Sequence, residues 1–180
     1  FFMKSPRCAV NPEYHRGMDY SYMPPIKKKK KVAVIGGGPA GIQAARTAAD
    51  RGHEVVLFEK SDVLGGVFRG AGAAPFKKDL RVYLDFVIRK LYENKNITVR
   101  MGTEATPEML DKEGFDACLI GIGNVPFFPG WITCKDPDRV VPIHKIDSGE
   151  AQAGQNIVIV GAGITDSASI SAAWKKSYSN

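Results

Sequence analysis

Short apolar runs alternate with stretches of helical period along most of this chain. Val32–Ile35, Val55–Phe58 and residues 116–122 are almost free of polar interruption. Each predicts a strand, and the first reads as one buried on both faces, as in parallel sheets. Ile97, Val99 and Met101 alternate instead, which predicts a half-covered strand. Between the runs, an alanine-rich stretch from Pro39 to about Asp50 predicts a helix, with Gly52 as its C-cap. From Pro75 onward, Leu80, Leu84, Val87, Ile88 and Leu91 fall on one helical stripe. Lys77, Lys78, Arg81, Asp85 and Arg89 lie off the stripe and read as its solvated face. Thr106-Pro107 reads as an N-cap followed by proline at the first helical position, opening a short helix through Leu110. Strands alternating with helices give an α/β fold with a central parallel sheet.

The loops sharpen this picture. Gly36-Gly37-Gly38-Pro39-Ala40-Gly41 joins the first strand to the first helix and fits G-x-G-x-x-G. Gly36 permits the tight turn, Gly38 lets the backbone approach a pyrophosphate, and Gly41 lets the helix pack closely on the strand. The helix N-terminus offers unpaired N–H groups and the positive end of its dipole. Glu59 ends the second run, about 20 residues past the turn, where an acid can accept hydrogen bonds from ribose hydroxyls. A glycine-rich turn without ligand is the alternative. The strand before it, the helix after it, the second strand and the terminal acid all favour a dinucleotide site. Gly65-Gly66 is either a second backbone approach to the ligand or an ordinary turn. Gly121-Ile122-Gly123 ends the last run on the ligand side of the sheet.

The opening pattern then recurs. Residues 156–160 are apolar and lead into Gly161-Ala162-Gly163, which predicts a second strand–turn–helix unit. Asp166 stands where the third glycine belongs, and no second strand follows before Asn180. The expected organisation is an extended linker at 1–31 and a Rossmann-like domain at 32–130. A connection rich in Pro, Gly, Asp and Lys covers 131–155, and an incomplete second nucleotide unit covers 156–180.

Charge and composition add little. The net charge is +6, but five lysines sit in one run, Lys27–Lys31, so the rest is nearly neutral and no nucleic-acid-binding face is implied. The run reads as a solvated linker whose last lysine meets the first strand. Three irregularly spaced cysteines imply no disulfide framework and suit a reducing, cytoplasmic setting. No apolar run approaches the roughly 20 residues of a membrane span. The three histidines have no partner at metal-ligand spacing, and no acid–base or nucleophile constellation is evident.

Arg7-Cys8-Ala9-Val10-Asn11-Pro12, the lysine-rich linker and the stretch from Val32 to Gly41 together resemble the middle of the 2,4-dienoyl-CoA reductase/enoate reductase family. These are old-yellow-enzyme-like NADH:flavin oxidoreductases. The resemblance implies an internal fragment, with an FMN-bearing TIM barrel upstream and the rest of an NAD(P)-binding unit and the FAD domain downstream. It implies that Gly36, Gly38, Pro39, Ala40 and Gly41 hold the FAD (or ADP) pyrophosphate. It implies that Glu59, with Lys60 beside it, binds the adenosine ribose. Gly65 and Gly66 would line the flavin-side phosphate and ribityl region. Glu104 and Ala105 would meet the adenine through backbone groups, and Gly123 would close over the cofactor. Gly161 and Gly163 would serve NAD(P)H, and Cys8 would be one ligand of a 4Fe–4S cluster whose other ligands lie upstream. The implied role is electron transfer from NAD(P)H through FAD to the cluster and FMN, in an enzyme that reduces activated C=C bonds. The fragment by itself would not be catalytically complete, and an ADP-binding module without redox activity is the competing expectation.

Overall fold

In the computed structural model, the described residues are 8, 10, 11, 14, 24–124, 135, 136, 139–152, 154 and 156–160. The apolar runs become four strands: β1 (Lys31–Ile35), β2 (Glu54–Phe58), β3 (Ile97–Arg100) and β4 (Ala117–Ile120). They form one parallel sheet in the order β3-β2-β1-β4. Val32 pairs with Val55 on one side and Ala117 on the other. The switch of direction at β1 places the end of β1 beside a crevice, where open α/β sheets take ligands.

Alternation along the strands divides the core in two. Val32, Val34, Val55 and Leu57 face α1 (Pro39–Asp50) and α3 (Lys78–Glu93), packing with Ile42, Ala45, Leu84, Val87 and Leu91. Ala33, Val56 and Phe58 face the other way, toward Met109 and Leu110 of α4 (Pro107–Glu113) and toward Phe115. The alanines of α1 have small side chains, so the helix lies close over the sheet.

Polar contacts close the second face. Thr106 caps α4 by accepting from the Met109 amide at 3.3 Å, and Gly114 ends it in the left-handed region. Arg100 grips both carboxylate oxygens of Glu113, while Lys31 Nζ donates to the Glu113 carbonyl at 2.8 Å. Lys31 also lies 4.5 Å from the Phe115 ring centre. The last lysine of the basic run is therefore part of the fold, as expected, and Lys27–Lys30 remain exposed.

Three expectations change. A five-residue helix α2 (Val67–Ala71) follows Gly66, and α5 (Ile143–Ser148) lies in the expected connection. Val67 and Gly70 are poor helix formers, so α2 leaves no periodic signal. Arg81 is not a solvated residue: its guanidinium donates to the carbonyls of Gly72, Ala74 (2.9 Å) and Pro75 (3.3 Å), binding the loop after α2 to α3. Residues 156–160 form no strand. They join no sheet among the described residues, and an apolar run becomes a strand only where a neighbour takes its backbone hydrogen bonds. Gly161 and Gly163 lie outside the described residues.

Candidate nucleotide site

The three glycines of the fingerprint do different work. Gly36 has φ +101°, a region open to glycine but not to ordinary side chains. A Cβ there would strike the carbonyl of Gly121. A Cβ on Gly41 would overlap the Gly36 carbonyl. Gly121 closes the triangle: its own Cβ position is 3.2 Å from the Gly41 nitrogen. These three glycines let the β1–α1 turn and the end of β4 touch backbone to backbone.

Gly38 is different. A Cβ there meets no protein atom within 4 Å. It is the N-cap of α1, with φ −74° and ψ 176°, and no side chain caps the helix. Extended backbone of this kind suits any residue, so neither strain nor packing in this chain calls for glycine at 38. What the missing side chain leaves is open space in front of a helix N-terminus. The first helical bond runs from the Ile42 amide to the Gly38 carbonyl at 2.9 Å. The Ala40 and Gly41 amides precede it and stand outside the ladder. No acidic residue occupies the first turn. Pro39 at N1 presets the helix and has no N–H to satisfy. The turn is thus shaped and polarised for an anion.

Gly65 and Gly66 are brought to the same place. The Gly65 amide donates to the Gly37 carbonyl at 2.8 Å, and a Cβ on Gly66 would lie 3.5 Å from the Gly38 Cα. Both have positive φ. The pair therefore stands opposite the fingerprint.

Glu59 is buried at the end of β2 and is tied to the turn. Its Oε2 accepts from the Gly37 amide at 2.7 Å. Its Oε1 accepts from both the amide and the hydroxyl of Ser61, each at 2.8 Å. Burial pushes this carboxyl up, but the Ser61 amide, the Gly37 amide, the Ser61 hydroxyl and the Lys60 charge together hold it below its usual value. It is a carboxylate at neutral pH. The loop after β3 lies alongside, since Thr103 donates to the Glu59 carbonyl and Gly102 to the Ser61 carbonyl, both at 2.9 Å. That brings exposed Glu104 and half-buried Ala105 next to the acid. Lys60 is exposed beside it.

Gly123 lies beyond β4 with φ +69° and open space around its Cβ position. The close contact at this strand end is made by Gly121, and not by Gly123, to which the family resemblance gave the role. Gly121 follows β4 as Gly36 follows β1, and that parallel was the available signal. Gly37 was also missed: a Cβ there would run into Leu64 and come within 3.0 Å of Glu59. Cys8 is exposed, and among the described residues no three His, Cys, Asp or Glu side chains gather as a metal site. Cys118 on β4 is a free, exposed thiol whose partial desolvation holds it above its usual value.

The residues present fit a dinucleotide: the space at Gly38, the helix end behind it and the acid beside it are the parts such a ligand needs. Comparison with known proteins agrees. Residues 31–118 match the family described as FAD dependent oxidoreductase. A metal reductase of Desulforamulus reducens is 38% identical over 91% of this chain and 25% of its own length. A cinnamate reductase of Clostridium sporogenes is 31% identical over 87% of this chain and 23% of its own. Among solved structures, a 2-naphthoyl-CoA reductase superposes with TM-score 0.80 and 32% identity, over 94% of this chain and 26% of that one. The chain spans about a quarter of the length of these relatives. These matches identify residues 31–118 as an FAD-dependent oxidoreductase domain, in a chain similar to part of the dienoyl-CoA and enoate reductases.

Proposed function

We propose that this chain is the FAD-binding, electron-transferring part of a longer NAD(P)H-dependent oxidoreductase that reduces activated C=C bonds. The observation that carries the reading is the open space at Gly38, between the N-terminus of α1 and Gly66, with the Glu59 carboxylate beside it. FAD, when bound, supplies a two-electron acceptor for hydride and a one-electron donor.

The chain's own part is binding and orientation. The amides at the start of α1 hold the pyrophosphate, and Glu59 holds the adenosine ribose with Lys60 at the rim. The backbone at Glu104-Ala105 meets the adenine. Gly65 and Gly66 follow the cofactor toward its flavin end, and Gly123 closes over it. In the longer protein Cys8 is one ligand of a 4Fe–4S cluster, Gly161 and Gly163 serve NAD(P)H, and an FMN-bearing barrel holds the substrate. The proposed setting is cytoplasmic. Among the described residues no helix is long and apolar enough to cross a membrane.

The purified chain tests this. A flavin absorption band, with FAD released on denaturation, is the expected result. A colourless protein releasing ADP points to a nucleotide-binding module that does not retain flavin. A chain binding neither overturns the reading.

A further inference from the structure

The carboxylate of Glu59 is more heavily engaged than an acid meant to grip a whole ribose. A carboxylate has about four acceptor positions, two on each oxygen. Oε1 takes two donors from Ser61, the amide and the hydroxyl. Oε2 takes one, from Gly37. Three positions are filled, and the one left open is on Oε2.

The Ser61 hydroxyl also lies 2.8 Å from the Val63 carbonyl. It has a single proton for the two acceptors. A charged carboxylate is the stronger acceptor, so the proton goes to Oε1. The Ser61 backbone is held in place, because its carbonyl accepts the Gly102 amide at 2.9 Å and so joins the β2 end to the loop after β3.

Resting on the nucleotide reading above, we propose that Ser61 is a positioning residue which closes Oε1, so that Glu59 accepts one hydroxyl of the adenosine ribose and not both. A carboxylate with both oxygens open would take the two neighbouring hydroxyls as a pair. This one distinguishes between them.

The test is the affinity of the full chain for ADP, 2′-deoxy-ADP and 3′-deoxy-ADP, measured by titration calorimetry. The expected result is that one deoxy nucleotide binds about tenfold or more weakly, the scale of a lost hydrogen bond to a charged group, while the other stays within about threefold of ADP. Ser61→Ala opens the second position on Oε1, and the previously indifferent nucleotide then also weakens relative to ADP. Ser61→Thr keeps the hydroxyl and the wild-type pattern. Equal loss with both deoxy nucleotides in the wild type, or no loss with either while ADP binds, overturns the proposal. A Ser61→Ala profile identical to wild type does so as well. Absence of any ADP or FAD binding by the wild type overturns the nucleotide reading itself, and this proposal with it. If Ser61→Ala does not fold, the wild-type pattern alone decides.

Discussion

The apolar runs at Val32–Ile35 and at residues 157–160 both lead into glycine, yet the first lies in a strand and the second does not. Val32, Ala33 and Val34 are at most 5% exposed, clasped between β2 and β4 and covered by α1. Ile157, Val158, Ile159 and Val160 are 48, 88, 40 and 56% exposed and lie in no sheet. Residue types hardly differ between them. What differs is the company: β1 has a parallel partner on each side and a helix above, and the second run has none of these among the described residues. A β-branched run states a preference, and neighbours that accept its backbone hydrogen bonds turn it into structure.

Substitutions can break this comparison at each level, and their expected effects on stability run from large to negligible. Gly41→Val drives a side chain into the Gly36 carbonyl. We expect several kcal/mol of destabilisation, or no folded protein, together with complete loss of bound nucleotide, read by denaturant unfolding and nucleotide release. Glu59→Gln sets an amide N–H₂ against the Gly37 or Ser61 donors. It should cost about 2 kcal/mol.

The same variant carries a pH signature. In the wild type the Glu59 carboxyl is held low in the folded state. Its stabilisation is therefore complete above the unfolded value, about 4.3, and is lost as the pH falls through the folded value below that. Glu59→Gln should lack this part of the acid limb in a plot of stability against pH.

Val34→Ala removes two methyl groups from a site that is fully buried. The expected loss is about 2 kcal/mol, and Val158→Ala in the exposed run should stay within about 0.5 kcal/mol. Equal losses at the two positions would erase the contrast between the runs. Between these lies Gly38→Val, which meets no protein atom. It should cost about 1 kcal/mol or less in stability, through a poorer N-cap, while abolishing nucleotide retention. A Gly38→Val protein that keeps its nucleotide would remove the pyrophosphate from that space. Together with Gly41→Val it separates a glycine that serves the ligand from one that serves the fold.

Much of the architecture was legible because its signals are local. The apolar runs, the helical stripe from Leu80 to Leu91 and the Thr106-Pro107 cap each declare themselves within a few residues. The nucleotide turn and its acid were legible for the same reason, since G-x-G-x-x-G and Glu59 belong to one βαβ unit. What escaped was set by distant backbone. Gly121 meets Gly36 and Gly41 across the whole unit. The partners of Arg81 are main-chain carbonyls, which have no residue-type signature. Ser61 seemed ordinary in sequence because its importance lies in where its hydroxyl points.

The contact between Gly36 and Gly121 also fixes an order of events when the chain is made. Once residue 100 has left the ribosome, β1, β2 and β3 can pair along one side. The other side of β1 stays open until β4 arrives, because Lys31 meets Asp116, 85 residues later in the chain. Until Gly121 docks, the β1–α1 turn lacks the backbone it is built against. Within this unit the motif at its start is therefore among the last parts to be finished, and a nascent chain gains its complete phosphate cradle only when β4 docks.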